Sequence, residues 1–175
     1  MNKIFQDISN FTKVSDYLPI LNGTINADLI IIFLLYNGAF NSYYLKKWYQ
    51  KYQLSAALAD ILILVIGIIL ARFLYKYFFN SFNIWKFTAL ALTIQIIHDI
   101  LFYMFFQSVP LGYNAMLDFF KDYAKEVSYK AILGDSFMII IACLLSSYFA
   151  SLSVNSNIII LVFSVYILPY MINYI

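Results

Sequence analysis

The sequence predicts an all-α integral membrane protein, a single domain over residues 1–175 built as a bundle of about five transmembrane helices plus an amphipathic interfacial helix. Three observations predict it. Of 175 residues, 63% are hydrophobic and only 11% charged, with a mean hydropathy of +0.80. A soluble domain carries about 25% charged residues. Apolar runs recur at the length a bilayer requires, roughly 20 residues per helix. Tyr43, Tyr44, Trp48, Tyr49, Tyr75, Tyr77 and Trp85 gather at the ends of those runs, where amphipathic rings favour the headgroup level.

The chain divides as follows. Residues 1–23 lack the unbroken apolar core and small-residue cleavage site of a signal peptide. Ile4, Phe5, Ile8, Phe11 and Val14 recur near helical spacing, so the segment is expected to be an interfacial helix or a partly ordered tail. The first span is expected over 27–44, ending at Lys46, Lys47 and Trp48, and the second over 55–79. A third over 82–106 stops before Ser108-Val109-Pro110, because proline disfavours helical geometry in the residue before it. Residues 114–130 alternate Met116, Leu117, Phe119, Phe120, Tyr123 and Val127 with Asp118, Lys121, Asp122, Lys125 and Glu126, the pattern of a surface helix with a solvated charged face. The fourth span is expected over 136–152 and the last, interrupted by Pro169, over 158–175.

Five crossings place the termini on opposite sides. Taking the Lys46 loop as side A, Lys46, Lys47, Lys51, Lys121, Lys125 and Lys130 fall on A, and Lys3, Lys13, Arg72, Lys76 and Lys86 on B. Six against five leans toward A as the cytoplasmic side.

Function should lie in the polar residues taken into the hydrocarbon, since a charge there costs of order 2.5–3.5 kcal/mol on insertion scales. Asp60 is expected ~8 Å and Asp99 ~13 Å from side A at ~1.5 Å per residue, with Asp135 opening the fourth span on the same side. Together with Gln95 and His98 they form the buried polar set. The stripes Ala56-Asp60-Gly67-Ala71, Thr88-Ala91-Gln95-Asp99 and Asp135-Ala142-Ser146-Ala150 carry small residues that let helices approach, which would turn the acids inward. Asp60, His98 and Asp99 fit either a hydrogen-bonded network that fixes helix register or a site for protons, ions or substrate. Asp135, after Gly134, suits an N-cap. Asp28, in the first turn of its span, suits the helix dipole, and Arg72 can snorkel to side B; these two are a candidate ion pair.

Several classes are excluded or disfavoured. A net charge of +2 with scattered lysines is no nucleic-acid footprint. One cysteine, Cys143, and one histidine leave no intramolecular disulfide and no Cys/His zinc pattern. No cofactor or metal is expected. Gly134-Asp135 with Asp99 resembles the two-aspartate arrangement of intramembrane aspartyl proteases, but Ile132 stands where their first motif glycine belongs, and no catalytic motif is found.

Ile97-His98-Asp99, Asn114, Asp118-Phe119-Phe120-Lys121, Tyr123-Ala124-Lys125-Glu126-Val127 and Ala131-Ile132-Leu133-Gly134-Asp135-Ser136 resemble small, uncharacterised polytopic membrane proteins of nucleocytoplasmic large DNA viruses. The resemblance covers the C-terminal half. It implies a viral protein of a virion or host internal membrane and assigns no catalytic residue. Two functional classes remain, and the first is favoured because the chain is short and has no recognisable filter or repeat. One is a structural or assembly role in a lipid bilayer, with Asp118, Lys121, Asp122, Lys125 and Glu126 as a docking face for protein partners or a second copy. The other is a small transporter, channel subunit or proton-handling protein that uses the buried Asp and His residues.

Overall fold

The computed structural model describes residues 4–39 and 42–174. Lys3, expected on side B, the Phe40-Asn41 stretch of the expected first span and the expected end at Ile175 lie outside them. After a one-turn 3-10 helix, Val14–Asp16, seven α-helices follow: α1 Tyr17–Tyr36, α2 Tyr43–Tyr52, α3 Leu54–Phe78, α4 Ile84–Ser108, α5 Ala115–Val127, α6 Lys130–Phe149 and α7 Val154–Ile172. Five of them, α1, α3, α4, α6 and α7, are long and apolar enough to cross a membrane. The termini emerge at opposite ends, and α2 and α5 share end A.

The first span is shifted from its expected place. It begins at Tyr17, ten residues before Ala27, because Asn22, Thr24 and Asn26, which depress hydropathy, find partners inside the bundle. Asn22 Nδ2 donates to the carbonyl and the side-chain oxygen of Asn157 on α7, at 2.8 and 3.0 Å. Asn26 Nδ2 donates to Ser164 Oγ at 3.0 Å, and Thr24 Oγ1 to its own helix at Leu21. Satisfied polar groups are tolerated where unsatisfied ones are not. The span ends at Tyr36 because Asn37-Gly38 makes a turn with Gly38 at φ +78°, a conformation open to glycine.

Helix α1 is the axis of the bundle: 61% of its apolar stretch is buried, against 17% for α4 and 22% for α7, which turn most of their surface outward. Its closest neighbour is α6. A Cβ placed on Gly23 would lie 2.2 Å from Ser146 Oγ and 2.6 Å from Ser146 N, so the two backbones meet where only glycine fits. Ile20, Ala27, Ala142 and Cys143 continue this seam, fully buried.

Residues 4–13 form neither an interfacial helix nor a loose tail. Gln6 N donates to Ser147 O at 3.1 Å, and Ser147 Oγ donates back to Gln6 O at 2.6 Å. Ile8 is wholly buried in the core. This irregular chain closes end B, with Gln6 paired to Ser147 and the carbonyls of Asn10 and Lys13 accepting from Arg72.

End A is closed differently. Helix α2 was expected as the tail of the first span and its loop, but it is a separate amphipathic helix, capped by Ser42 Oγ, which accepts from Leu45 N at 3.2 Å. Tyr44, Trp48 and Tyr52 fall at i, i+4, i+8 and meet α5. Trp48 lies 5.7 Å from Phe119 and 4.8 Å from Phe120 between ring centroids, Tyr44 lies 5.7 Å from Phe119, and Phe102 of α4 joins Phe120 at 5.2 Å. Such pairs contribute ~0.5–1.5 kcal/mol each beyond area burial. Tyr52 OH donates to Ala115 O at 2.8 Å. Together α2 and α5 roof the bundle.

Candidate functional site

Beneath this roof the spans bring four carboxylates to the A-side half of the bundle. Asp28 lies eight residues before the end of α1, ~12 Å deep; Asp60 six residues into α3, ~9 Å; Asp99 nine residues before the end of α4, ~14 Å; and Asp135 five residues into α6, ~8 Å. Asp28 and Asp60 are within electrostatic reach of each other, and Asp135 is within reach of Asp99 and Asp60. The four helices therefore pool their acids.

Every hydrogen bond these acids accept comes from a neutral side chain or from His98. Asp28 Oδ1 accepts from Tyr49 OH at 2.8 Å, and Asp60 Oδ2 from Trp48 Nε1 at 3.0 Å; both donors are on α2. Asp99 Oδ1 accepts from Gln95 Nε2 at 2.8 Å and lies 3.2 Å from His98 Nδ1. No lysine or arginine among the described residues pairs with any of the four. Asp28 is fully buried, and its Oδ2 has no hydrogen-bond partner.

The surface helices sense the cluster. Burial holds the Tyr49 phenol well above its usual range, and the nearby charges of Asp28 and Asp60 push it further up. The Tyr123 phenol on α5 is likewise raised, first by burial and then by Asp135, Asp60, Glu126 and Asp99. Both phenols are thereby kept protonated, and that of Tyr49 donates to Asp28.

Three expectations about these residues need correction. Asp28 is not in a first turn: once α1 starts at Tyr17, the ten-residue shift moves Asp28 ~15 Å along the axis, away from end B. That displacement also removes the expected Asp28–Arg72 ion pair. Arg72 remains toward end B, where Nη2 donates to Asn10 O and, at 2.9 Å, to Lys13 O, with Asp16 Oδ2 at 3.6 Å. Asp135 is not an N-cap, because α6 begins at Lys130 and places it in the second turn.

The charged face of α5 is largely turned to its own chain. Lys121 is buried, and its ammonium donates to Val109 O. Asp118 Oδ2 accepts from Gly112 N at 2.8 Å, and Glu126 Oε1 accepts from Ser42 Oγ at 3.0 Å. Only Asp122 and Lys125 pair in the open, at 2.9 Å. Sequence reasoning missed Tyr49, Trp48 and Tyr123 as part of the site; the i, i+4 series Tyr44, Trp48 and Tyr52 of α2, after the Asn37-Gly38 turn signal, was the means of finding Trp48.

Among the described residues, no three His, Cys, Asp or Glu side chains are grouped closely enough to hold a metal ion. The cluster is spread over four helices, with its acids interacting through space. No protein family, no curated protein and no solved structure matches the chain.

Proposed function

We propose that this multi-pass membrane protein takes up and releases protons at the Asp28, Asp60, Asp99 and Asp135 cluster, as a small proton- or cation-handling protein. One observation carries the reading: four helices bring carboxylates to the A-side half of the bundle, and among the described residues no lysine or arginine pairs with any of them. Like charges gathered at one end of a bundle without a basic partner repel one another, and protons bound by the acids would relieve that repulsion. Tyr49, Trp48 and Gln95 are neutral donors that orient the acids without neutralising them. His98, with a side chain 36% exposed against 12% for Asp99, is the group placed to pass a proton between the cluster and its surroundings, since an imidazole can accept at one ring nitrogen and donate from the other.

The test is reconstitution in liposomes with an internal pH dye, beside infrared difference spectra of the carboxyl C=O band. The expected result is a proton flux that Asp60→Asn and Asp99→Asn abolish while the protein stays folded, with a protonated-carboxyl band that weakens in the same variants. A parent protein with neither flux nor a titrating carboxyl band overturns the reading.

A structural or assembly role, in a membrane such as the internal membrane of a virion, is the second reading. The observation favouring it is the aromatic roof of α2 and α5, which closes end A as an inert scaffold would require. Intact assembly of both variants, with no flux in the parent, selects it.

A further inference from the structure

The hydroxyl of Tyr49 meets two of the four acids at once. The side chain is wholly enclosed, in a buried cluster with Trp48, Ala56, Ala57 and Ile61. The small residues at the start of α3 let α2 fold back close against it. From this position Oη donates to Asp28 Oδ1 of α1 at 2.8 Å, and Asp60 of α3 lies within hydrogen-bonding range of the same hydroxyl. Asp60 is oriented by a second bond, accepted at Oδ2 from Trp48 Nε1 at 3.0 Å.

The number of protons decides what this geometry can do. A phenol has one proton to give and lone pairs that accept. The Tyr49 proton is given to Asp28, so Asp60 can bond to the phenol oxygen only as a donor, in its carboxylic acid form. With both acids ionised, two acceptors would compete for one O–H. With one proton shared between the acids, both contacts are satisfied and the repulsion between them is removed. The charged groups that face Tyr49 are these two acids, one from each flanking span.

The acids differ in access. Asp28 has no exposed surface and its Oδ2 has no hydrogen-bond partner. Among the described residues, Tyr49 is the one side chain bonded to it. Asp60 is half-buried. A proton from outside the bundle therefore reaches Asp60 more readily than Asp28, and Tyr49 is what joins them.

We propose that Tyr49 relays protons between Asp60 and Asp28, an inference that rests on the proton-handling reading of the cluster. In one step the carboxyl O–H of Asp60 breaks as its proton bonds to Tyr49 Oη, and the Tyr49 O–H breaks as that proton bonds to Asp28 Oδ1. The phenol ends neutral as it began, Asp60 becomes a carboxylate and Asp28 an acid, so protons and charge balance with no other reactant. The two transfers are concerted, because burial and the two acids hold the phenol well above its ordinary range and make a free phenolate costly.

Time-resolved infrared spectroscopy of the full chain in liposomes after a pH jump tests the relay, with the Asp28 and Asp60 carboxyl bands identified by their loss in Asp28→Asn and Asp60→Asn. Tyr49→Phe keeps the ring and removes the O–H. It should slow the Asp28 response about a hundredfold or more and leave the Asp60 response fast. Tyr52→Phe removes another roof hydroxyl, bonded to Ala115 O at 2.8 Å, and should change neither. Should Tyr49→Phe fail to fold, Asp60→Asn, which cannot supply the proton, should slow Asp28 by a similar factor. An Asp28 response as fast in these variants as in the parent, one slowed equally by Tyr52→Phe, or no Asp28 response at all overturns the relay. Liposome flux separates it from the reading beneath it. Flux in the parent with an unslowed Asp28 response in Tyr49→Phe sinks the relay alone, whereas a slowed response with no flux in the parent upholds the relay and sinks transport.

Discussion

The two ends of this bundle bury charge in opposite ways. At end B one cation, Arg72, is enclosed beside a counter-ion: Nη2 donates to two backbone carbonyls of the N-terminal segment, with Asp16 at 3.6 Å and the Tyr17 ring alongside, while Nε and Nη1 are left without an acceptor. At end A four acids are gathered and the donors are a phenol, an indole, an amide and an imidazole. Burial of a lone ion requires a partner in place. Several like charges without a counter-ion instead leave balance to something mobile, and a proton is the smallest candidate.

Backbone conformation follows the same division. The described residues with positive φ, Gly38, Gln53, Gly112 and Ser128, all flank the surface helices of end A. Each of those helices starts after a glycine turn and ends at a non-glycine residue near φ +50°. The end B connections show no such residue among those described.

The comparison breaks most sharply if the two ends tolerate neutralisation equally. Arg72→Met should destabilise strongly, by about 3–5 kcal/mol, because it leaves Asp16 buried and releases the carbonyls that tie down the N-terminal segment. Asp28→Asn should cost little or stabilise, since the amide oxygen still accepts from Tyr49 and a buried charge is removed. Thermal unfolding in detergent compares them; equal losses would mean that end A is also built around fixed ion pairing.

Alkaline titration gives a smaller effect. Tyr49 and Tyr123 hold their protons above the ordinary phenol value of 10.0 in the folded state, whereas in the unfolded chain they ionise near it. The stability they contribute is therefore full below about pH 10 and is lost as pH rises through their higher folded values. Tyr49→Phe should flatten this loss in a pH series of unfolding midpoints, and an unchanged slope would place the phenol outside the cluster's field.

Smallest of all should be relief of the strained joints. Gln53→Gly or Ser128→Gly removes a backbone penalty of order 1–3 kcal/mol and adds roughly 0.5–1 kcal/mol of glycine entropy, so a net gain of up to ~2 kcal/mol is expected in the unfolding midpoint. The matching change Asn83→Gly at end B, where φ is −142° and the side chain caps α4, should destabilise.

Much of the fold was legible because a bilayer leaves few solutions. Chain-long apolar runs must become helices, and α3, α4 and α5 fall within two residues of their expected starts for that reason. The errors came from polar residues. Asn22, Thr24 and Asn26 lowered the hydropathy of a stretch that lies in the bundle centre, and only their partners on α7 and within α1 reveal why it can. Ten residues of error at one helix end then misplaced Asp28 by ~15 Å along the axis, near end B instead of in the A-side half, and made a false pair with Arg72. For α6 the charges at Lys130 and Asp135 similarly concealed its first turn and a half.

Composition and run length determined the all-α class, the number of helices long and apolar enough to cross a membrane and the presence of acids in α3, α4 and α6 toward end A, because these depend on transfer of side chains and backbone from water to hydrocarbon, a property of each segment alone. Tertiary structure decided which charges are partnered, that α2 is a roof and not a tail, that residues 4–13 close end B around Arg72, and that Asp28 joins the acidic cluster. Those outcomes depend on contacts between segments distant in sequence, where a shift of one helix by a few turns exchanges one partner for another.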